Sequence, residues 1–279
     1  RFRVTAALLV FLTAAWLLQG FGGWMSLRAF NERQPWGRRL PDSAAFESWL
    51  FGAHPLVATA SGRKMAVTMS SLERDFALDA VMVTQRGQLH RLLTACFLHN
   101  SVFHFLFNAG YLYTLAPLEA GCPGAYLCTF LLSGIGGNLA FLAMDPGRRA
   151  LGASGAICGL IGFELVSRLR MRQIREFKSV ARGAFGILVL GALLPGVGNW
   201  AHAGGLASGV AVAILITRRS GYRSALLPWW LLLAGLAIWT PGRHFLSALG
   251  RAAQLGWSEP GALGGGVALQ SVSWAWTRR

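Results

Sequence analysis

Seven apolar runs, at about residues 4–22, 101–118, 123–144, 154–168, 182–197, 201–217 and 225–240, limit what this chain can become. Each approaches the ~20 residues that a helix needs to cross the ~30 Å hydrocarbon core of a bilayer. In lipid a spanning segment must satisfy its own backbone hydrogen bonds, which leaves helices for runs of this length. The pattern predicts an all-α, multi-pass integral membrane protein. Composition agrees: 13% of the 279 residues are charged, against about 25% in soluble domains. The formal net charge of +15 would suggest nucleic acid in a soluble chain. No basic stripe with interleaved aromatics accompanies it, so nucleic acid is set aside and the charge is read as positive cytoplasmic loops.

The runs divide the chain. Arg1 and Arg3 ahead of residues 4–18 imitate a signal peptide, but no clear small-residue cleavage site follows, so residues 1–22 are read as a retained first span. Residues 23–100 carry charges of both signs and are too long for a simple turn. They are expected to hold structure of their own, with short helices at 44–51 and 69–78. Residues 101–217 hold spans two to six, 218–240 a seventh, and 241–279 a loose tail. The loop after the fourth run carries Arg168, Arg170, Arg172, Arg175, Lys178 and Arg182 against Glu176, and the exit of the sixth carries Arg218, Arg219 and Arg223. These belong on the cytoplasmic side, which puts the N-terminus inside and residues 23–100 outside, in a plasma or bacterial inner membrane. The cysteines, Cys96, Cys122, Cys128 and Cys158, show neither a CxxC pair nor a metal-ligand spacing.

The fourth run is short. From Ser154 to Arg168 it spans about 14 residues, roughly 21 Å at 1.5 Å per residue, so Ser154 is expected to start its helix below the outer surface. The backbone upstream, about residues 145–153, is then non-helical at membrane depth, which is tolerated only inside protein or beside water. A water-filled cavity open to the outside is the expectation.

Polar groups gather at that depth. Ser154 heads the fourth span, His104 and Asn108 lie four residues apart on one face of the second, and His202 lies near the outer end of the sixth. Intramembrane polar groups are costly and each is a functional hypothesis. Singly they also fit ordinary interhelical bonding; jointly they point to nucleophilic acyl transfer. A serine hydroxyl needs a base to take its proton, and a neutral histidine serves near pH 7 and later protonates the leaving amine. His104, Asn108 and the Ser154 N–H would supply donors to the developing oxyanion. Gly155, Gly205 and Gly209 would let spans four and six approach closely. No acid is evident to orient His202: Glu164 lies roughly 15 Å further along its helix, and Asp145 sits in an outer loop. Asn138 is read as interhelical bonding, and His54, His90 and His99 as surface or interfacial.

Segments Gly87-Gln88-Leu89-His90-Arg91-Leu92-Leu93-Thr94, Phe97-Leu98-His99, His104 to Asn108, Gly152-Ala153-Ser154-Gly155 with Gly159 and Gly162, and Asn199-Trp200-Ala201-His202-Ala203-Gly204-Gly205 with Gly209 resemble, in order and separation, the rhomboid intramembrane serine proteases. The resemblance covers about residues 87–217. It implies a six-helix core with an added seventh helix, Ser154 as nucleophile and His202 as general base and acid. It places His104 and Asn108 at the oxyanion, with Gly152 among the glycines beside the site. It further implies cleavage in or beside a transmembrane helix of a substrate protein, with no metal or cofactor, the substrate coming in past the fifth span. Three positions depart from the family pattern: His90 stands where a Trp precedes the Arg, Ala116 where a Gly is frequent, and Cys158 where an aromatic lies under the histidine. Two other classes compete. A catalytically inactive rhomboid-like protein that binds membrane helices would need neither Ser154 nor His202, and a transporter would show an inverted repeat or paired broken helices, which are not found. The sequence leaves the oligomeric state unknown.

Overall fold

The structure, a computed structural model, describes residues 2–35, 39–58, 64–194 and 196–217. The predicted seventh span and the tail lie outside the described residues. Helix α1 (Arg3–Glu32) leads into a linking segment holding α2 (Ser43–Phe51), a hairpin of β1 (Leu56–Ala58) and β2 (Lys64–Ala66), α3 (Ser71–Phe76) and α4 (Ala80–Thr84). There follow α5 (Arg91–Thr94) with a 3-10 turn (Ala95–Phe97), α6 (Val102–Thr114) with a 3-10 turn (Ala116–Ala120), and then α7 (Pro123–Met144), α8 (Ser154–Arg170), α9 (Ile174–Leu193) and α10 (Asn199–Thr217). Among the described residues α1, α7 and α10 are long and apolar enough to cross a membrane. The pair Arg91–Phe97 and Val102–Thr114, bent by 94°, makes a fourth if taken as one broken span. The chain is a helical, multi-pass membrane protein. Large apolar side chains face outward along α1 (Phe11, Leu18), α6 (Leu106, Phe107) and α9 (Phe185, Leu193), as a lipid-covered surface requires.

Between lipid-bathed helices there is no hydrophobic gain, so contact must come from close packing. Helices α7, α8 and α10 achieve it with glycine. A β-carbon at Gly155 would lie 3.1 Å from the Ala201 carbonyl oxygen, and one at Gly137 2.5 Å from the same atom; Gly205 rests on the Gly155 carbonyl and Gly209 on the Gly159 carbonyl. Around this trio Leu12, Leu112, Phe130 and Leu160 fill the interior without exposure.

Helix α1 is fastened at both ends. The Val4 and Thr5 N–H groups and the Thr5 hydroxyl all donate to the Glu119 carboxylate at 2.8 Å. That carboxylate, 1% exposed, thus satisfies first-turn donors that no helix can pair internally and places an anion at the positive end of the helix. Toward the other end Gly20 and Gly23 accept Trp49 and the Thr68 carbonyl of the linking segment, each within 2.7 Å of where a β-carbon would stand.

The linking segment is clamped by α5. Buried Arg91 donates to the Ala77 carbonyl at 2.7 Å, the Arg74 carbonyl at 2.9 Å and the Gln88 side chain at 2.7 Å. Leu78 pairs with Ala150 as an isolated bridge, and Arg149 lies 3.4 Å from Asp79. Ser70 and Glu73 close a reciprocal capping box on α3.

Several boundaries move from the sequence expectation. Helix α1 runs on to Glu32 because Gly20, Gly22 and Gly23, weak helix formers, are stabilised by the linking segment packed on them. Helix α6 ends at Thr114, four residues short of the apolar run, where the chain tightens ahead of Pro117. Helix α9 begins at Ile174, so Arg175, Lys178 and Arg182 are helical, and the expected basic loop shrinks to a turn around Arg172, which takes φ 57. The hairpin carries no sequence signal, since three-residue strands are too short to display a period of two. His90 and His99 are not at the surface: they are 6% and 2% exposed, His90 edge-on to Phe76 and His99 edge-on to Phe105. His54 is half-buried, its Nδ1 2.9 Å from the Thr68 hydroxyl and its Nε2 3.4 Å from Glu73.

Candidate active site

Residues 145–153 are non-helical as expected, and they deliver the chain to Ser154. Gly152 makes this possible. Its φ of 129 is one that side-chain-bearing residues rarely adopt, its N–H donates to the Ala95 carbonyl at 2.9 Å, and the hydrogen where a β-carbon would be faces the His104 ring. Such a β-carbon would stand 2.5 Å from Cε1 and 2.7 Å from Nε2. Two residues on, α8 begins with Ser154, so the Ser154 N–H belongs to the first turn and has no intrahelical acceptor.

The hydroxyl of Ser154 lies 2.9 Å from His202 Nε2. With the ring proton on Nδ1, the Oγ–H donates to Nε2, the arrangement in which the nitrogen is poised to take that proton. Ser154 is half-buried and His202 is 6% exposed. The glycine contacts flank this pair on both sides: Gly155 against Ala201, and Gly205 against Gly155. Among the described residues His202 Nδ1 has no hydrogen-bond partner. The two acids considered as its support are engaged elsewhere, Glu164 with Arg168 at 3.0 Å and Asp145 with Arg148 at 2.9 Å.

His104 and Asn108 share the inner face of α6. Asn108 is buried and donates from its amide to the His104 carbonyl at 2.9 Å, which leaves a second amide hydrogen. His104 receives a helix cap from Ser101 through its backbone N–H and lies edge-on to His99, ring centres 5.1 Å apart. Asn138 donates to the Leu92 carbonyl at 2.8 Å, joining α7 to α5. Among the described residues no group of three His, Cys, Asp or Glu side chains is arranged to hold a metal ion.

Sequence reasoning missed two neighbours of His104. The sequence pattern puts His99 at the surface or interface and gives no hint of Asn100, whose side chain lies 2.9 Å from His104 Nδ1. Asn100 precedes the Ser101 cap, so helical spacing gives no signal for it.

A bundle of membrane helices with a serine at a helix start, a histidine beside it and small residues at the crossings defines a class of intramembrane site. Residues 86–219 match the Rhomboid domain. RHOMBOID-like protein 1 of Arabidopsis thaliana is 34% identical over 160 residues, 54% of this chain and 41% of that one. RHOMBOID-like protein 7 of the same plant is 32% identical over 178 residues, 62% and 54% of the two chains. Rhomboid-like protease 3 of Toxoplasma gondii is 31% identical over 135 residues, 45% and 51%. The chain belongs to the rhomboid family, and it spans about half the length of these relatives.

Proposed function

We propose that the protein is an intramembrane serine endopeptidase that hydrolyses a peptide bond in or beside a transmembrane segment of another protein. The observation that carries this reading is the 2.9 Å contact between Ser154 Oγ and His202 Nε2. Attack of Oγ on the scissile carbonyl carbon transfers the hydroxyl proton to Nε2. The tetrahedral intermediate then collapses as the same nitrogen returns that proton to the leaving amine. Water, deprotonated by His202, attacks the acyl carbon, and collapse of the second tetrahedral intermediate breaks the bond to Ser154 as Nε2 returns the proton to Oγ. The negative oxygen of both intermediates is met by the Ser154 N–H at the positive end of α8 and by the Asn108 and His104 side chains. The imidazolium forms without a carboxylate behind it, in keeping with an Nδ1 that has no partner among the described residues.

On this reading the site opens to the outer side with the N-terminus cytoplasmic, residues 23–100 form the outer loop, and residues 101–217 carry the catalytic spans. A substrate helix comes in past α9, whose buried residues are Ala184 and Gly191, and unwinds locally, because an intact helix hides its carbonyls. The test is labelling with a fluorophosphonate probe alongside cleavage of a single-span reporter. The unaltered protein is expected to label and cleave, and Ser154→Ala and His202→Ala to do neither while remaining folded. Product formed by either variant would overturn the mechanism.

A further inference from the structure

The proposed oxyanion site uses one nitrogen of His104, and the other is held. Nε2 is the nitrogen beside Gly152, while Nδ1 lies 2.9 Å from the Asn100 carboxamide oxygen. Asn100 is itself set in place by the end of α2: Gly52, left-handed at φ 75, abuts it so closely that a β-carbon would stand 2.8 Å from the Asn100 carbonyl and 3.3 Å from its Cγ. Asn100 is on the exposed outer rim and His104 is half-buried.

A neutral imidazole has one N–H, so what Nδ1 does decides what Nε2 can do. An oxygen facing Nδ1 keeps the proton there and leaves Nε2 bare, an acceptor that repels an oxyanion. A half turn of the carboxamide presents its NH2 instead. Nδ1 then accepts, the proton sits on Nε2, and the ring donates toward the place where the oxyanion forms.

We propose that Asn100 is a positioning residue for the reaction, holding the His104 ring and, with its NH2 turned to Nδ1, keeping the ring proton on Nε2. This rests on the function proposed for Ser154 and His202. Among the described residues the titratable groups beside the ring are His99, its ring centre 5.1 Å away, and His202 across the site. Beyond Asn100, His54 and Glu73 line a small cavity shared with His99.

The test uses the full chain in proteoliposomes with a single-span reporter substrate. Asn100→Ala is expected to lower kcat about three- to tenfold, the range of one net hydrogen bond, with KM unchanged. Asn100→Asp presents oxygens alone and holds the proton on Nδ1. Its kcat is expected to fall further at neutral pH and to recover as pH is lowered, because a doubly protonated ring donates from both nitrogens, while Ser154 still takes up the fluorophosphonate probe. Both variants matching the unaltered protein in kcat and pH profile, or acting on KM alone, would overturn the proposal. If the unaltered protein neither cleaves nor labels, the function itself fails. The role of Asn100 is then read by nitrogen NMR of histidine-labelled protein, in which Asn100→Asp should move the His104 proton from Nε2 to Nδ1; an unchanged tautomer would refute it.

Discussion

Asn108 illustrates what a single side chain contributes here. One of its amide hydrogens is committed to the His104 carbonyl at 2.9 Å, which fixes the rotamer and leaves the other free to meet a developing negative charge. Such a donor acts more strongly in the transition state than in the ground state, so its removal should appear in kcat. Asn108→Ala is expected to lower kcat about ten- to a thousandfold with little change in KM, measured on a reporter substrate; an unaltered kcat would remove it from the site. His202 offers a contrast. Its Nδ1 has no partner among the described residues, so the ring is oriented by packing and by its bond to Ser154, and much of the burden falls on the glycines that hold α10 against α8.

At the scale of the element those glycines make a sharper test. The place of a β-carbon at Gly209 is occupied by the Gly159 carbonyl, whereas nothing lies within 4 Å of the corresponding place at Gly110. Gly209→Ala must therefore push α10 outward and carry His202 with it, costing about 1–3 kcal/mol in stability as overpacking does. Activity should fall further, because a displacement of about 1 Å in a catalytic group can cost a hundredfold. Gly110→Ala, in α6 but facing open space, should gain roughly 0.5–1 kcal/mol from helix propensity and leave activity unchanged. Thermal unfolding of both variants in one detergent, with kcat beside it, separates the two; equal behaviour would mean that the crossing does not position the histidine. The same crossing shows how much the sequence can reveal. Small residues at Gly155, Gly205 and Gly209 announced that helices approach there, but the partner surfaces, Ala201 and the Gly155 and Gly159 carbonyls, become known only when the helices are assembled.

For the molecule as a whole, the linking segment between α1 and α5 is tied to the bundle through polar groups, and these give it a pH dependence. Burial pushes the Glu73 carboxyl up, but hydrogen bonds and charge from His54, with hydrogen bonds from Ser70, outweigh it and hold the group below its ordinary 4.5. A carboxyl depressed on folding stabilises the structure fully above its unfolded value and loses that contribution as pH falls through the folded one. The unaltered protein should lose thermal stability on acidification below about pH 5, and Glu73→Gln should flatten that loss while lowering stability at neutral pH. A Tm profile parallel to that of the unaltered protein would exclude Glu73 as its source.

The order of apolar runs and the depth of their polar residues determined by themselves that this chain is a helical membrane protein, because lipid leaves a spanning backbone few choices and makes intramembrane polarity expensive. They also marked Ser154, His104, Asn108 and His202, whose residue types and separations are local facts. Tertiary structure decided the rest: that Ser154 and His202 come within 2.9 Å, that Glu119 caps a helix 114 residues away, that His90 and His99 are buried, and that Asn100 reaches His104. Each of these depends on which surfaces meet across the bundle. No periodicity along one strand of sequence records a contact made by another, which is why the residue types and their spacing were legible in the chain and their contacts were not.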